Sequence, residues 1–385
     1  MWLYAHYGNK FQFTKAVARK IVGARLVIGS VVCVFLALLA QVFLSPYVPQ
    51  NNNFDTPFYT LNNAGAGTQY RGEIVETRHD VIAHVRLLDG PNKNSVVQVE
   101  LVDTVYDRSP GSPVLVSEYS DPAGERLGVS DNWRLPQVFL LAAVFFALTY
   151  IVAGKRGARS IGALLATVSV LTLGVVPALL TGVSPVVACL VGALVIAILS
   201  IFITQGFSKQ SVIALICVSI TLVIAAVAST LALKFSYLFG MLDEASSFVL
   251  GSGNIDTRGL LAGSVVLVTL GVVDDVVVTQ VGAVRAVRKL GANSSEAFAS
   301  AMQIGREHIG AIVNTLVLAY VGVSLPLLVA VASTSETGAG ILSLLNSPFI
   351  AQEIVRTIVS SIVLVAAVPL SSWAAVRFLT PPKNS

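Results

Sequence analysis

Charge is scarce in this chain. Only 12% of its residues are Asp, Glu, Lys or Arg while 55% are hydrophobic, and the charged share is about half that of an ordinary soluble domain. The imbalance excludes a largely water-exposed surface and points to a membrane protein. Cysteine is nearly absent. Cys33, Cys189 and Cys217 all lie in apolar runs and the polar stretch 45–135 has none, so that stretch must hold together without disulfides, and the cysteines read as small hydrophobes at helix contacts. Histidine occurs only at positions 6, 79, 84 and 308. His79 and His84 read as surface residues and His308 as part of a solvated helix end. No metal-ligand spacing, P-loop, nucleotide fingerprint or hydrolytic triad is present. We therefore expect no metal, no cofactor and no enzymatic activity. The net charge is +4, but no basic patch with interleaved aromatics accompanies it, which excludes a nucleic-acid partner.

What the chain has instead is long apolar runs. Eight of them, at 26–44, 136–153, 161–180, 185–204, 210–233, 260–282, 310–332 and 354–372, approach the ~20 residues that cross a hydrocarbon core. Charge placement tests that count. With a cytoplasmic N-terminus, the inside segments hold fifteen Lys and Arg against two acids, Glu296 and Glu307, whereas segment 45–135 has seven basic and twelve acidic residues. Eight spans with both termini cytoplasmic satisfy the positive-inside rule. The first run is longer than a signal-peptide core and lacks a good cleavage site, so it is expected to remain as a span.

The polar segment reads as short strands. Val81–Leu87, Val96–Val102 and Pro113–Ser117 are rich in β-branched residues, and Asp89-Gly90-Pro91-Asn92 and Ser109-Pro110-Gly111-Ser112 supply turn chemistry between them. The expected organisation is a basic N-terminus 1–25, a span 26–44, a linker 45–57, a β-rich domain 58–132, a seven-helix domain 136–378 and a tail 379–385. The fold class is an all-α transmembrane helical bundle of about eight spans with a small extracytoplasmic β-domain, built as a barrel or sandwich. Its partners would be the bilayer and an envelope protein docked on the β-domain. Nothing in the sequence specifies an oligomer.

One apolar run carries charge in its middle. Asp274 and Asp275 are the only ionisable residues from Leu260 to Val284, and an aspartate at the bilayer centre costs roughly 2.5–3.5 kcal/mol on insertion scales, so it is expected to face protein or water. On a helix Gly271, Asp275, Thr279, Gly282 and Ala286 share one face of small residues, which suits close helix contact. Asp274 sits about 100° away among Leu270, Val277, Val278 and Val281. Asp275 is therefore expected to point inward, with Thr279 one turn on as its hydrogen-bond partner. Either residue could exchange protons, the pair titrating as one coupled unit, or lock helices together as a neutral acid.

Asn314 and Thr315 in the next run could complete a polar network with Asp275, although contacts between helices alone would explain them. Asn293 and Glu296 have capping-box spacing and mark the start of an amphipathic helix. Arg285, Arg288 and Lys289 suit a helix C-terminus and serve as an anchor. Glu353 and Arg356 are spaced for an i,i+3 ion pair. Pro326 is expected to kink its helix, and segment 240–258 stays unassigned.

Several strings resemble the YibE/F-like membrane protein family: Gly271 to Gly282, Gly305-Arg306, Asn314-Thr315-Leu316-Val317-Leu318-Ala319-Tyr320-Val321-Gly322, and Leu325-Pro326-Leu327-Leu328. The order of parts is similar too, over about residues 60–378. That resemblance implies a multi-pass bacterial protein in which the position matched by Asp275 usually holds the aspartate, while the position of Asp274 is often apolar. A shorter stretch, about 263–330, resembles the aspartate-bearing span of resistance–nodulation–division exporters and of SecD/SecF, through Asp274-Asp275, the valine run, Arg288, Gly291, Glu296-Ala297 and Met302. It implies a proton pathway through Asp275 with Asp274 beside it. This chain departs from those exporters in lacking an intramembrane Lys or Arg and in its smaller external domain. Together these readings lead us to expect a proton-coupled transporter or export-assisting protein of the bacterial plasma membrane, with Asp275, Asp274 and Thr279 as proton-relay residues and Asn314 and Thr315 in support. The second reading is a non-transporting scaffold whose β-domain binds an envelope partner.

Overall fold

The computed structural model describes residues 66–78, 82–101, 109–121, 124–240, 256–334 and 341–379. They form two compact units that divide between Gly157 and Ala158.

The first unit holds five strands: β1 (Ala66–Arg78), β2 (Ile82–Leu87), β3 (Val96–Leu101), β4 (Pro113–Asp121) and β5 (Gly124–Asn132). They close into a barrel in the order β1-β2-β3-β5-β4, with β4 returning to β1. Every contact is antiparallel except β3 with β5. Closure removes the exposed edges that a short sheet would otherwise present. Alternation along the strands sends Ile74, Ala83, Val85, Leu87, Val99, Leu101, Val114, Val116 and Val129 inward, and each buried Val, Leu or Ile adds roughly 1.5–3 kcal/mol of apolar burial against the entropy of ordering.

The interior is narrow. A Cβ on Gly72 would overlap Val85 Cγ1, so only glycine lets β1 lie that close to β2. The first expected turn is present: Gly90 adopts φ +84° beneath the Tyr70 ring, while Asp89 accepts from the Arg71 N–H at 2.6 Å and from its Nε at 2.7 Å. Just past β5, Arg134 grips both carboxylate oxygens of Asp131 at 2.7 Å. Partial burial alone would raise the Asp131 carboxyl, but hydrogen bonds from Arg134 and the Asn132 N–H outweigh it, so the group sits below its ordinary value. The segment therefore forms a barrel, with β1 and β5 added to the three expected strands. His79 lies outside the described residues, and His84 is half-buried on β2.

Helices make up the rest. They are α1 (Leu135–Val170), a π turn (Leu171–Val175), α2 (Val176–Leu180), α3 (Pro185–Gln205), α4 (Lys209–Phe235), α5 (Thr257–Lys289), α6 (Ser294–Thr334), α7 (Ile341–Asn346) and α8 (Pro348–Phe378). Among the described residues six stretches are long and apolar enough to cross a bilayer, so this is a multi-pass membrane protein. Against the eight runs expected, 26–44 lies outside the described residues, while 136–153 and 161–180 fall in one helical stretch, Leu135–Leu180. Gly154, at φ 54° and ψ −131°, breaks α1 between those two runs, a conformation open only to glycine. Pro177 lacks an N–H and crowds the carbonyl four residues earlier, and the π turn just before it absorbs the misfit.

α5 is the central helix and packs against α3, α4, α6 and α8. Leu261, Val265, Val266, Leu270, Val273, Val276, Val277, Val281 and Val284 are buried along it. The outer faces of the surrounding helices expose Ile216, Leu231, Leu318, Val323 and Ile362, apolar area that a bilayer covers without penalty. α6 begins at the expected capping box: Asn293 N–H donates to Glu296 Oε2 and Glu296 N–H to Asn293 Oδ1, both at 2.9 Å. It then runs unbroken through what was expected to be a separate amphipathic helix and span, with Pro326 inside it.

Candidate functional site

The polar groups of the bundle interior are organised by α5. Toward α3, Gly263 and Asp274 lie eleven residues apart, about three helical turns, and so share a face. A Cβ on Gly263 would sit 2.7 Å from Cys189 Sγ and 3.0 Å from the Pro185 carbonyl oxygen. Glycine thus lets the two helices approach closely. One level further along, Ser200 Oγ donates to Asp274 Oδ2 at 2.7 Å. The two contacts, Gly263 with Cys189 and Asp274 with Ser200, have the same sequence offset of 74, so α3 and α5 run parallel in register. Asp274 Oδ1 is buried and has no hydrogen-bond partner among the described residues.

A second face of α5 meets α8. Thr269 Oγ1 donates to Ser360 Oγ at 3.2 Å, and Ser372 Oγ donates to Gln280 Oε1 at 3.1 Å. The offsets are 91 and 92, so α8 is parallel to α5 as well. Gln280 is fully buried, and α6 makes room for it at Gly305, where a Cβ would overlap Val368 Cγ1 and lie 3.0 Å from Gln280 Nε2.

At the start of α8, Glu353 and Arg356 form the expected i,i+3 pair at 3.3 Å, with the Tyr320 hydroxyl buried nearby on α6. By the α5–α8 offset Arg356 stands level with about residue 265 of α5, roughly 13 Å along the axis from Asp274 at 1.5 Å per residue. It is not a counter-charge for the aspartate. At that end of the bundle a cavity of about 620 Å³ is lined by Thr230, Lys234, Phe239, Asp256, Arg258 and Ala262 among others. No group of three His, Cys, Asp or Glu that could hold a metal occurs among the described residues.

The model of the YibE/F-like protein family matches residues 141–381, more than half of the chain. The chain belongs to the YibE/F-like family. No curated protein and no solved structure matches it. The match is narrower than the resemblance at 60–378: it begins inside α1, takes in the later helices and leaves the barrel outside.

Within that bundle α5 is rotated from the orientation expected. Asp275, Thr279 and Gly271 lie on its exposed face, and Asp274 is the partly buried one. Beside Gly282, too, a Cβ would meet nothing within 4 Å. The reason is packing. Turned inward, the valine stripe gives several branched side chains close partners on the neighbouring helices, whereas the glycine stripe offers few atoms for such contacts. Asn314 and Thr315 are exposed on α6, and Thr315 Oγ1 donates to its own helix at Ala311 O, 2.9 Å away. The expected network joining them to Asp275 is not formed among the described residues. His308 is exposed, but it lies inside the unbroken helix α6 rather than at the helix end expected. Sequence reasoning passed over Ser200, Thr269, Gln280, Ser360 and Ser372. The eleven-residue spacing of Thr269 and Gln280 was the available signal, since it sets two polar groups on one helix face.

Proposed function

We propose that this YibE/F-like protein is a proton-coupled transporter or export-assisting protein in which Asp274, rather than Asp275, is the exchangeable acid. The observation that carries the reading is the asymmetric hold on one carboxyl: Ser200 donates to Oδ2 while Oδ1 is buried without a partner among the described residues. A carboxyl held at one oxygen can gain or lose a hydrogen at the other, and each state favours a different local packing. Asp274 lies near the middle of α5, about 18 Å along the axis from Ala262 at the outer cavity and about 16 Å from Arg285 at the other end. Ser200 is the positioning residue. Asp275 adds a neighbouring charge, and Thr279 shares its exposed face. In this reading the basic ends of the helices are cytoplasmic, the barrel is extracytoplasmic, and the membrane is the bacterial plasma membrane.

The test uses purified full-length protein in liposomes with a trapped pH-sensitive dye. An imposed gradient should drive proton flux that Asp274→Asn abolishes and Asp275→Asn only weakens. Equal flux through wild type and Asp274→Asn would sink the proposal.

A second reading is favoured by the family match ending short of the barrel. There the bundle anchors a β-domain that binds an envelope protein, and no proton moves. Deleting 66–132 separates the two readings, because a scaffold loses all function while a transporter keeps gradient-linked flux.

A further inference from the structure

The end of the bundle opposite the outer cavity holds a second cavity, of about 320 Å³, that the proposed proton exchange does not use. It is lined by Ser208, Lys209 and Gln210 at the start of α4, by Arg285, Arg288 and Lys289 at the end of α5, and by Leu379 after α8. Four of these seven side chains are cationic and none is acidic. Positive charge at the end of a spanning helix needs no special explanation. Convergence of four cations from two helices on one concavity does, because like charges in a shared recess repel unless an anion joins them.

The arginines are also held in place. Arg285 donates to Gln210 Oε1 across the cavity. Arg288 donates through one terminal nitrogen to Val376 O at 2.9 Å and to Ser294 Oγ at 2.6 Å. Its Nε–H is buried and has no acceptor among the described residues. A guanidinium anchored through one terminal nitrogen, with its Nε–H still unpaired, is prepared for an oxyanion. Lys209 and Lys289 are exposed at the rim and their side chains make no hydrogen bond among the described residues, which leaves them able to close over a ligand.

We propose that this cavity binds a phosphate-bearing anion, with Arg288 and Arg285 as the fixed donors and Lys209 and Lys289 as the rim. The same chemistry serves the phosphodiester headgroup of an anionic phospholipid and free inorganic phosphate. A headgroup fits the setting best, since the cavity lies at the ends of spanning helices and Leu379 offers an apolar wall for the first carbons of an acyl chain.

The experiment follows thermal unfolding of the full-length protein in two arms. One arm compares nanodiscs of phosphatidylcholine with nanodiscs containing phosphatidylglycerol, and the other titrates inorganic phosphate into detergent-solubilised protein. Stabilisation by phosphatidylglycerol alone assigns the site to lipid, and stabilisation by inorganic phosphate assigns it to the free anion. In the responding arm, Lys209→Gln and Lys289→Gln, both at exposed positions, should each weaken binding about fivefold, and Arg288→Gln more. Arg306→Gln, an exposed charge outside the cavity, should leave it unchanged. No stabilisation in either arm, lysine variants that bind like wild type, or an equal loss in Arg306→Gln would each overturn the proposal.

Discussion

Replacing Ser200 by alanine removes the one hydrogen bond that the Asp274 side chain makes among the described residues, at 2.7 Å. Because Oδ1 already has no partner among the described residues, the variant leaves the carboxyl without a described partner inside the bundle. A buried acceptor stripped of its donor costs about 1–3 kcal/mol in soluble proteins, while interhelical hydrogen bonds in membrane proteins average about 0.6 and reach about 1.7 kcal/mol. The contact sits on the face where Gly263 brings α3 close, so little relaxation is available and the upper part of the membrane range applies. We expect about 1–1.7 kcal/mol, a fivefold to twentyfold shift in the folding equilibrium. Reversible unfolding in mixed micelles, followed by circular dichroism, measures it. The control is a double-mutant cycle: in an Asp274→Ala background, Ser200→Ala should cost no more than about 0.3 kcal/mol, the scatter of independent sites. A full cost in that background would mean that the serine acts through packing alone, and the geometric argument for Asp274 would fall with it.

The glycines of α5 and α6 should divide by surroundings. Gly271→Ala, with nothing within 4 Å of the new Cβ, should stabilise by up to about 1 kcal/mol through helix propensity, whereas Gly305→Ala, which meets Val368 and Gln280, should destabilise by about 1–3 kcal/mol; chemical unfolding of both variants checks the sign. In the barrel, the folded Asp131 carboxyl titrates below its unfolded value, so its contribution is present above about pH 4 and lost as pH falls through the folded value. Asp131→Asn should therefore be less stable than wild type at pH 7, with the difference shrinking as pH falls through the folded value, read by fluorescence of the adjacent Trp133. Asn293→Ala should cost about 1 kcal/mol by removing half of the capping box, visible as faster hydrogen exchange at residues 294–297.

Local chemistry was the most legible part of the sequence. Asn293 and Glu296 stand three residues apart at a helix start, and both reciprocal bonds form. Asp89-Gly90 turns because glycine alone takes the positive φ. Strands β2, β3 and β4 showed through their β-branched residues. Strands β1 and β5 did not, because their inward positions include Gly72 and Gly128 and a register shift beside Ile74 leaves Val75 exposed, which breaks the alternation on which strand reading depends. The orientation of α5 was misread for a related reason. A stripe of small residues looked like a helix contact, but close approach is decided pair by pair: Gly263 makes such a contact and Gly271 does not. The partner of Asp274 was out of reach altogether, since Ser200 is an unremarkable residue on another helix and only the tertiary register brings it near.

That register limits how the protein can move. The contacts of α5 with α3 and with α8 each repeat after three turns, so they act as teeth on two parallel racks. Sliding α5 by a single turn, about 5.4 Å, would unseat Gly263, Asp274, Thr269 and Gln280 together and bring mostly apolar residues into their places. The three helices are therefore keyed together as one block, while α6 lies against it through Gly305, Ala301, Met302, Ile309, Ile312 and Val313 without such a register of polar teeth.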